Sequence, residues 1–290
     1  MKFQQGVIFI NLIDCHTHTQ FSMDSDADIN ECIKKAKEIG LKAYAITDHC
    51  ECNCWYPAEY YQNTDLSDYF NYSQDFENSV SAVTALKEKF PDFNIICGTE
   101  LGQALLSPEI AEKVISDKRL DFVIGSVHQI KDEKDFYYID YTKYNHSQLH
   151  DLLRRYFTEI YELCKWGKFD VLGHLTYCLR YMKCRNGIDF DISVFDEIIA
   201  ESFRELARHG KGIEINTSGF RQGFGDAFPC LKYVKLYKDM GGEIVSVGSD
   251  AHTPEDIGCN VKDGIQIAQQ AGFTKICYFK NRQPFFIDII

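Results

Sequence analysis

The chain reads as an α/β protein: a single distorted (β/α) barrel of seven strands spanning residues 1–290. Three observations predict it. Apolar runs of strand length alternate with helix-period segments along the whole chain, the pattern of a parallel sheet with crossover helices. No Pro/Ser-rich linker or shift in composition divides it. Seven strand–helix units and a closing strand suit a closed barrel better than an open sheet. A dinucleotide-binding sheet loses its main support because no G-x-G-x-x-G follows the first strand.

The elements follow in order. Val7 to Asp14 is a short apolar strand. Asp28 to Gly40 is a helix with Ile29, Cys32, Ile33, Ala36 and Ile39 on one face and Gly40 at the stop position. Leu41 to His49 is the second strand, and the aromatic, acidic stretch Cys50 to Phe70 is long enough to be a lid. Tyr72 to Phe90 is helical and ends at Pro91; Phe93 to Gly102 is a strand. Ser107-Pro108 opens a helix reaching about Lys118, and Asp121 to His128 is the fourth strand. After a loop over Lys131 to His146, Ser147 to Gly167 is a strongly amphipathic helix, and Asp170 to Leu175 a strand. Residues 176–190 read as a basic, irregular loop. Ile192 to His209 is a helix, Gly212 to Ser218 a strand and Arg221 to Gly225 a Gly-rich loop. Phe228 to Met240 is a helix, Glu243 to His252 a strand, Ile257 to Ala271 the last helix, and Lys275 to Tyr278 the closing strand.

Bulk composition narrows the classes. The net charge of -12 disfavours binding to nucleic acid or to an anionic membrane surface. It also requires that an anionic substrate meet a local cationic site. No apolar stretch approaches the roughly 20 residues of a membrane span, and the apolar run near the N-terminus is too short for a signal peptide. The 12 cysteines are scattered, as reduced thiols of a cytoplasmic protein would be. Cys50, Cys52 and Cys54 form a Cys-x-Cys-x-Cys run, but no second pair stands at zinc-finger spacing. Oligomeric state leaves no mark in the sequence.

In a βα barrel the active site lies where the strands end. The first strand ends in His16 and His18, which at i and i+2 point to one side. The next ends give Asp48 and His49, then Glu100, His128, His174, Asn216 with Thr217 and Ser218, and finally Asp250 and His252. Six of the nine histidines stand at strand ends; His146, His150 and His209 lie at helix ends and read as structural or surface residues. A ring of imidazoles and carboxylates this large exceeds one tetrahedral zinc and fits two or three divalent ions, with Zn, Mn and Fe(II) all compatible.

The motifs Asp14-x-His16-x-His18, Ile46-Thr47-Asp48-His49, Gly98-x-Glu100, Gly125-Ser126-x-His128, Gly173-His174 and Gly248-Ser249-Asp250-x-His252 together resemble the polymerase-and-histidinol-phosphatase (PHP) superfamily. Its members are distorted (β/α)7 barrels holding up to three metals. Within it the chain is most similar to the histidinol-phosphate phosphatases of histidine biosynthesis, in length and in the long second and fourth loops. The resemblance implies one ion on His16, His18, Glu100 and Asp250, and a second on Glu100, His128 and His174, with Glu100 bridging. A third would sit on His49, His252 and a residue of the loop after His18, where this chain has Asp24 and some members have His.

Such a ligand set activates water as a nucleophile and neutralises phosphate charge, so the expected activity is hydrolysis of a small phosphate monoester. L-histidinol phosphate is the leading substrate, with another small phosphate ester or a nucleotide as the alternative. Arg180 and Arg221 are the phosphate candidates, with Lys183 and Arg185 weaker ones and Asn216 beside them. Asp48 and a metal-bound water are the two candidate proton donors to the leaving alkoxide, and Asp48 with the Glu51 loop is a candidate for contact with the amine and imidazole of the substrate. No Gly-x-Ser-x-Gly supports a serine nucleophile. An amidohydrolase-like site would need a metal-bridging lysine at a mid-chain strand end, and none stands there. A non-catalytic metal-binding module does not account for ligands at so many strand ends.

Overall fold

The computed structural model describes residues 11–55 and 72–289. The first part of the expected first strand and most of the expected lid lie outside them. The first two strands are β1 (Ile13–Asp14) and β2 (Ala43–Ile46), with α1 (Ile29–Glu38) between them. α1 buries Ile29, Cys32, Ile33 and Ala36, and the Asp28 side chain caps it by accepting from the N–H groups of Asn30 and Glu31. A short strand, β3 (His49–Glu51), continues the line of β2 after a break at Thr47-Asp48. Then follow α2 (Tyr72–Lys89), β4 (Ile95–Gly102), α3 (Pro108–Ile115) and β5 (Phe122–Ser126). β4 is buried along its whole length, as a strand covered on both faces must be. It pairs with β2 through its first half and with β3 through its second.

The second half of the chain supplies α4 (His146–Trp166), β6 (Val171–Leu172), α5 (Tyr177–Asn186), α6 (Asp196–His209), β7 (Gly212–Asn216), α7 (Ser218–Arg221), α8 (Leu231–Asp239), β8 (Val245–Gly248) and α9 (Val261–Gln270). α4 opens with a reciprocal capping box between Asn145 and Gln148 and closes on left-handed Gly167. All neighbouring barrel strands pair in parallel, in the order β1-β2-β4-β5-β6-β7-β8. β8 then returns to β1: Cys15 N donates to Val247 O at 2.9 Å, and Thr17 bridges Ala251 in parallel. The distorted seven-stranded (β/α) barrel is therefore the fold.

Two expectations change. The closing strand does not enter the barrel. β9 (Lys275–Lys280) pairs antiparallel with a further strand, β10 (Gln283–Asp288), in a hairpin. Its two-residue turn places Asn281 and Arg282 at positive φ, 47° and 62°, the conformation of a primed hairpin turn without glycine. Residues 176–190 are not irregular. They hold α5, which buries Tyr177, Cys178, Arg180, Tyr181 and Met182 and ends on left-handed Gly187. α5 has no clean apolar stripe because it packs on one side against the site.

Candidate metal centre and active site

The strand ends converge on one point. Thr17 turns aside to donate to Ala45 O at 2.7 Å, while His16 and His18 bring their Nε2 atoms within 3.1 Å of each other. Glu100, near the end of β4 and 1% exposed, is the centre. Its Oε1 lies 3.0 Å from His128 Nε2 and 2.7 Å from His174 Nε2. Its Oε2 lies 3.2 Å from His16 Nε2 and 3.1 Å from His49 Nδ1. Asp250 Oδ1 is 3.3 Å from His18 Nε2 and 3.8 Å from His16 Nε2. The His18 ring is stacked between those of His49 and His252, at centroid distances of 4.3 and 4.2 Å. Asp24 closes the outer edge, with Oδ2 3.1 Å from His252 Nε2 and Oδ1 3.7 Å from His49 Nε2.

The donor set fits divalent ions. Among the described residues four groups have ligand atoms mutually within 4.8 Å: His16, His18 and Glu100; Glu100, His128 and His174; His18, His49 and His252; and His49, Glu51 and His128. In four of the imidazoles the outward nitrogen already has a partner. His16 Nδ1 meets Glu214 Oε1 at 2.6 Å, His18 Nδ1 meets Ser22 Oγ at 3.1 Å, His128 Nδ1 meets Glu51 Oε1 at 2.9 Å, and His252 Nδ1 meets Asp250 O at 3.0 Å. With the proton on Nδ1, each turns an Nε2 lone pair inward, as metal-ligating histidines do.

The electrostatics point the same way. Burial opposes charge on Glu100, yet the imidazoles of His128, His16 and His49 hold its carboxyl well below the usual range. Burial likewise opposes a proton on His128, but Glu100 and Glu51 more than offset it and raise its pKa to about 10. His18, buried and crowded by His252 and His49, is pushed down to about 3. The carboxylates thus demand positive charge at the point where the Nε2 atoms meet.

Beside the cluster opens a cavity of about 650 Å³, walled by Glu100, His128, His174, Asp250, Arg180 and the tyrosines of α5 among others. That is room for a small organic ligand. Two of the phosphate candidates line it, Arg180 and Arg185. Arg180 Nη2 donates to Asp250 Oδ2 at 3.0 Å and to Ser218 Oγ at 2.8 Å, and its Nε is buried without a partner among the described residues, whereas Arg185 Nη1 donates to Tyr137 O at 2.7 Å.

Four other candidates are corrected. Asp48 does not reach the cavity. It accepts from Thr19 N (2.6 Å), Thr19 Oγ1 (2.9 Å), Ser22 Oγ (2.9 Å) and Ser79 Oγ (2.6 Å), so its oxygens are occupied in tying the loop after β1 to α2. Through Ser22 it orients His18. Asn216 is fully buried and accepts from Ser218 N and Oγ, so it shapes the turn after β7. Lys183 points outward to Phe224 O, 3.1 Å away. Arg221 spends its guanidinium on Ser249 O, Asp250 O and Asp256. It thereby helps hold Asp250 in a left-handed conformation, φ 56°, which is uncommon for non-glycine residues although aspartate adopts it more readily than most.

Glu214, 1% exposed on β7, escaped sequence reasoning. Besides His16 it takes the His174 N–H at 2.9 Å, so it braces two ligand arms. A carboxylate between Ile213 and Ile215 in a buried strand was the available signal. Gly248 leaves room for it, since a Cβ there would strike both His16 and Glu214.

Comparison with known proteins agrees with this geometry. The family model described as the PHP domain matches residues 14–218. The chain belongs to the PHP domain family. Among its relatives, a protein of Thermotoga maritima named as a probable histidinol-phosphatase is 27% identical over 263 residues, covering 90% of this chain and 93% of the relative. The histidinol-phosphatase of Lactococcus lactis is 25% identical over 272 residues, covering 93% and 94%. The crystal structure of histidinol phosphate phosphatase from Lactococcus lactis, complexed with zinc, L-histidinol and phosphate, superposes with a TM-score of 0.76 at 23% identity, covering 95% of this chain and 99% of that one. This PHP chain and that enzyme share a fold.

Proposed function

We propose that this PHP chain is a metal-dependent phosphomonoesterase, acting as one barrel domain, whose substrate is L-histidinol phosphate and whose products are L-histidinol and phosphate. The observation that carries the reading is Glu100, with one oxygen facing His128 and His174 and the other facing His16 and His49. The relatives' names and the ligands of the Lactococcus lactis enzyme support the substrate.

Two to three divalent ions, Zn, Mn or Fe, are assigned here: one to His16, His18, Glu100 and Asp250, a second to Glu100, His128 and His174, and a third to His49, His252 and Asp24. When bound, they supply charge neutralisation for the phosphate and a hydroxide nucleophile near neutral pH. The chain's own groups do the rest. Arg180, desolvated against Tyr177, Tyr181 and Phe228, offers its unpaired Nε–H edge to a phosphate oxygen. Glu214, Ser22 and Glu51 hold His16, His18 and His128 in one tautomer. Burial of His16, His18, Glu100, His128 and His174 strengthens each of these interactions.

All 12 cysteines are free, which supports placing the enzyme in the reducing cytoplasm, in histidine biosynthesis. Among the described residues no helix is long and apolar enough to cross a membrane. A phosphate-release assay on L-histidinol phosphate beside a panel of phosphomonoesters and diesters, with metal analysis of the same sample, tests the reading. It stands if histidinol phosphate leads the panel and falls if another ester is preferred.

A further inference from the structure

One carboxylate on the cavity wall belongs neither to the ligand cluster nor to its outer supports. Asp135 lies in the loop after β5 and lines the same cavity as His128, His174 and Arg180. Its Oδ1 accepts from Tyr137 N at 2.7 Å and from the Tyr177 hydroxyl at 3.3 Å. No donor among the described residues pairs with Oδ2, and no lysine or arginine among them forms an ion pair with it. The Tyr177 ring stacks 4.9 Å from His128 and 5.0 Å from His174. Asp135 therefore stands one tyrosine side chain away from the ligand cluster, about the reach of a short amino-alcohol chain whose phosphate rests at the cluster. Glu51, the other carboxylate at that end, faces His128 and His49 with Oε1 and forms with them one of the groups able to hold an ion. Tyr137, Tyr177 and Tyr181 line the cavity beside Asp135, with Arg180 and Arg185 lying over their rings.

We infer that Asp135 is the counter-charge for a cationic substituent on the leaving alcohol, so that the site selects phosphate esters of amino alcohols over neutral esters. The inference rests on the phosphomonoesterase reading and deepens it by assigning the specificity-determining residue. The competing role, capping of the turn at Phe136–Tyr138, uses only Oδ1. Asparagine caps as well as aspartate. Asp135→Asn thus keeps the cap and removes the charge.

The test is isothermal calorimetry of L-histidinol binding to the metal-loaded enzyme, wild type against Asp135→Asn and Asp135→Glu. p-Nitrophenyl phosphate turnover is measured on the same samples. The expected result is roughly 10- to 100-fold weaker L-histidinol binding in Asp135→Asn, the loss of one charge-assisted contact, with partial recovery in Asp135→Glu and nearly unchanged p-nitrophenyl phosphate turnover. Equal L-histidinol affinity in wild type and Asp135→Asn overturns the inference. So does a parallel loss of both readouts, which marks a structural role. Absence of phosphatase activity in the wild type would overturn the proposed function alone, because the binding comparison would still report on Asp135.

Discussion

Glu100 occupies the point where the two halves of the cluster meet, and the consequences of removing it differ from those of removing any single imidazole. Glu100→Ala takes away a ligand from both proposed ions at once. Turnover should fall by more than the roughly 100-fold that loss of an outer supporting residue costs, and metal analysis should show both ions depleted. Full metal content in that variant would end the bridging role. Arg221 makes a different prediction from the one its position in the sequence invites. Because it grips the carbonyls of Ser249 and Asp250, Arg221→Ala should release the left-handed Asp250 turn. kcat should drop by about tenfold or more, as for a residue supporting a metal ligand, with KM little changed. A raised KM at constant kcat would put Arg221 back on the phosphate. Sequence placed the six strand-end histidines and Glu100 at the site because their positions follow from where a strand stops. The directions of Asp48, Asn216, Lys183 and Arg221 follow from packing in loops, which residue type and spacing do not encode.

At the scale of elements, the C-terminal hairpin is a brace for the opposite end of the barrel. Arg282, in the turn between β9 and β10, pairs with Asp170 just before β6, and Arg282 N donates to Asp121 O just before β5. Asp170 is 2% exposed, so Arg282→Ala leaves a buried carboxylate with only the Val123 N–H and the more distant Lys211 beside it. Urea unfolding should show a loss of about 3 kcal/mol, the low end for breaking a buried pair because the arginine is partly solvated. Metal content at the far end of the strands should not change. Unchanged stability would mean that Lys211, 3.8 Å from Asp170, suffices as its partner. The hairpin was half legible: the apolar run of β9 stands out, whereas β10 is mostly exposed and its turn lacks glycine. α5 was missed for the converse reason. Its inward side is aromatic and cationic because it faces a site, so it carries no regular apolar period.

For the whole molecule, the proposed metal cluster bears on stability as well as on turnover. Burying Glu100, Asp250 and Glu51 beside one another is tolerable only with matching positive charge, and ions that bind the folded state alone stabilise it by about 4 kcal/mol at a thousandfold excess over Kd. Exhaustive chelation should therefore abolish phosphate release and lower Tm by several degrees, and Zn, Mn or Fe(II) should restore both. An apo-protein that keeps its activity and its Tm would refute the metal mechanism.

The alternation of apolar runs and helical periods determined the barrel, since a parallel strand buried on both faces must be apolar and must be followed by a crossover. The ligand types at the strand ends determined the class of chemistry. Tertiary structure decided which groups serve as supports. Glu214 reaches His16 only because Gly248 leaves space across the β7–β8 pair. Asp48 acts through Ser22 and away from the cavity, and Asp135 meets Tyr177 across 42 residues of sequence. Periodicity reports on which side of an element a residue lies. What that side faces is set by closure of the barrel and the path of the loops, and only the folded chain contains both.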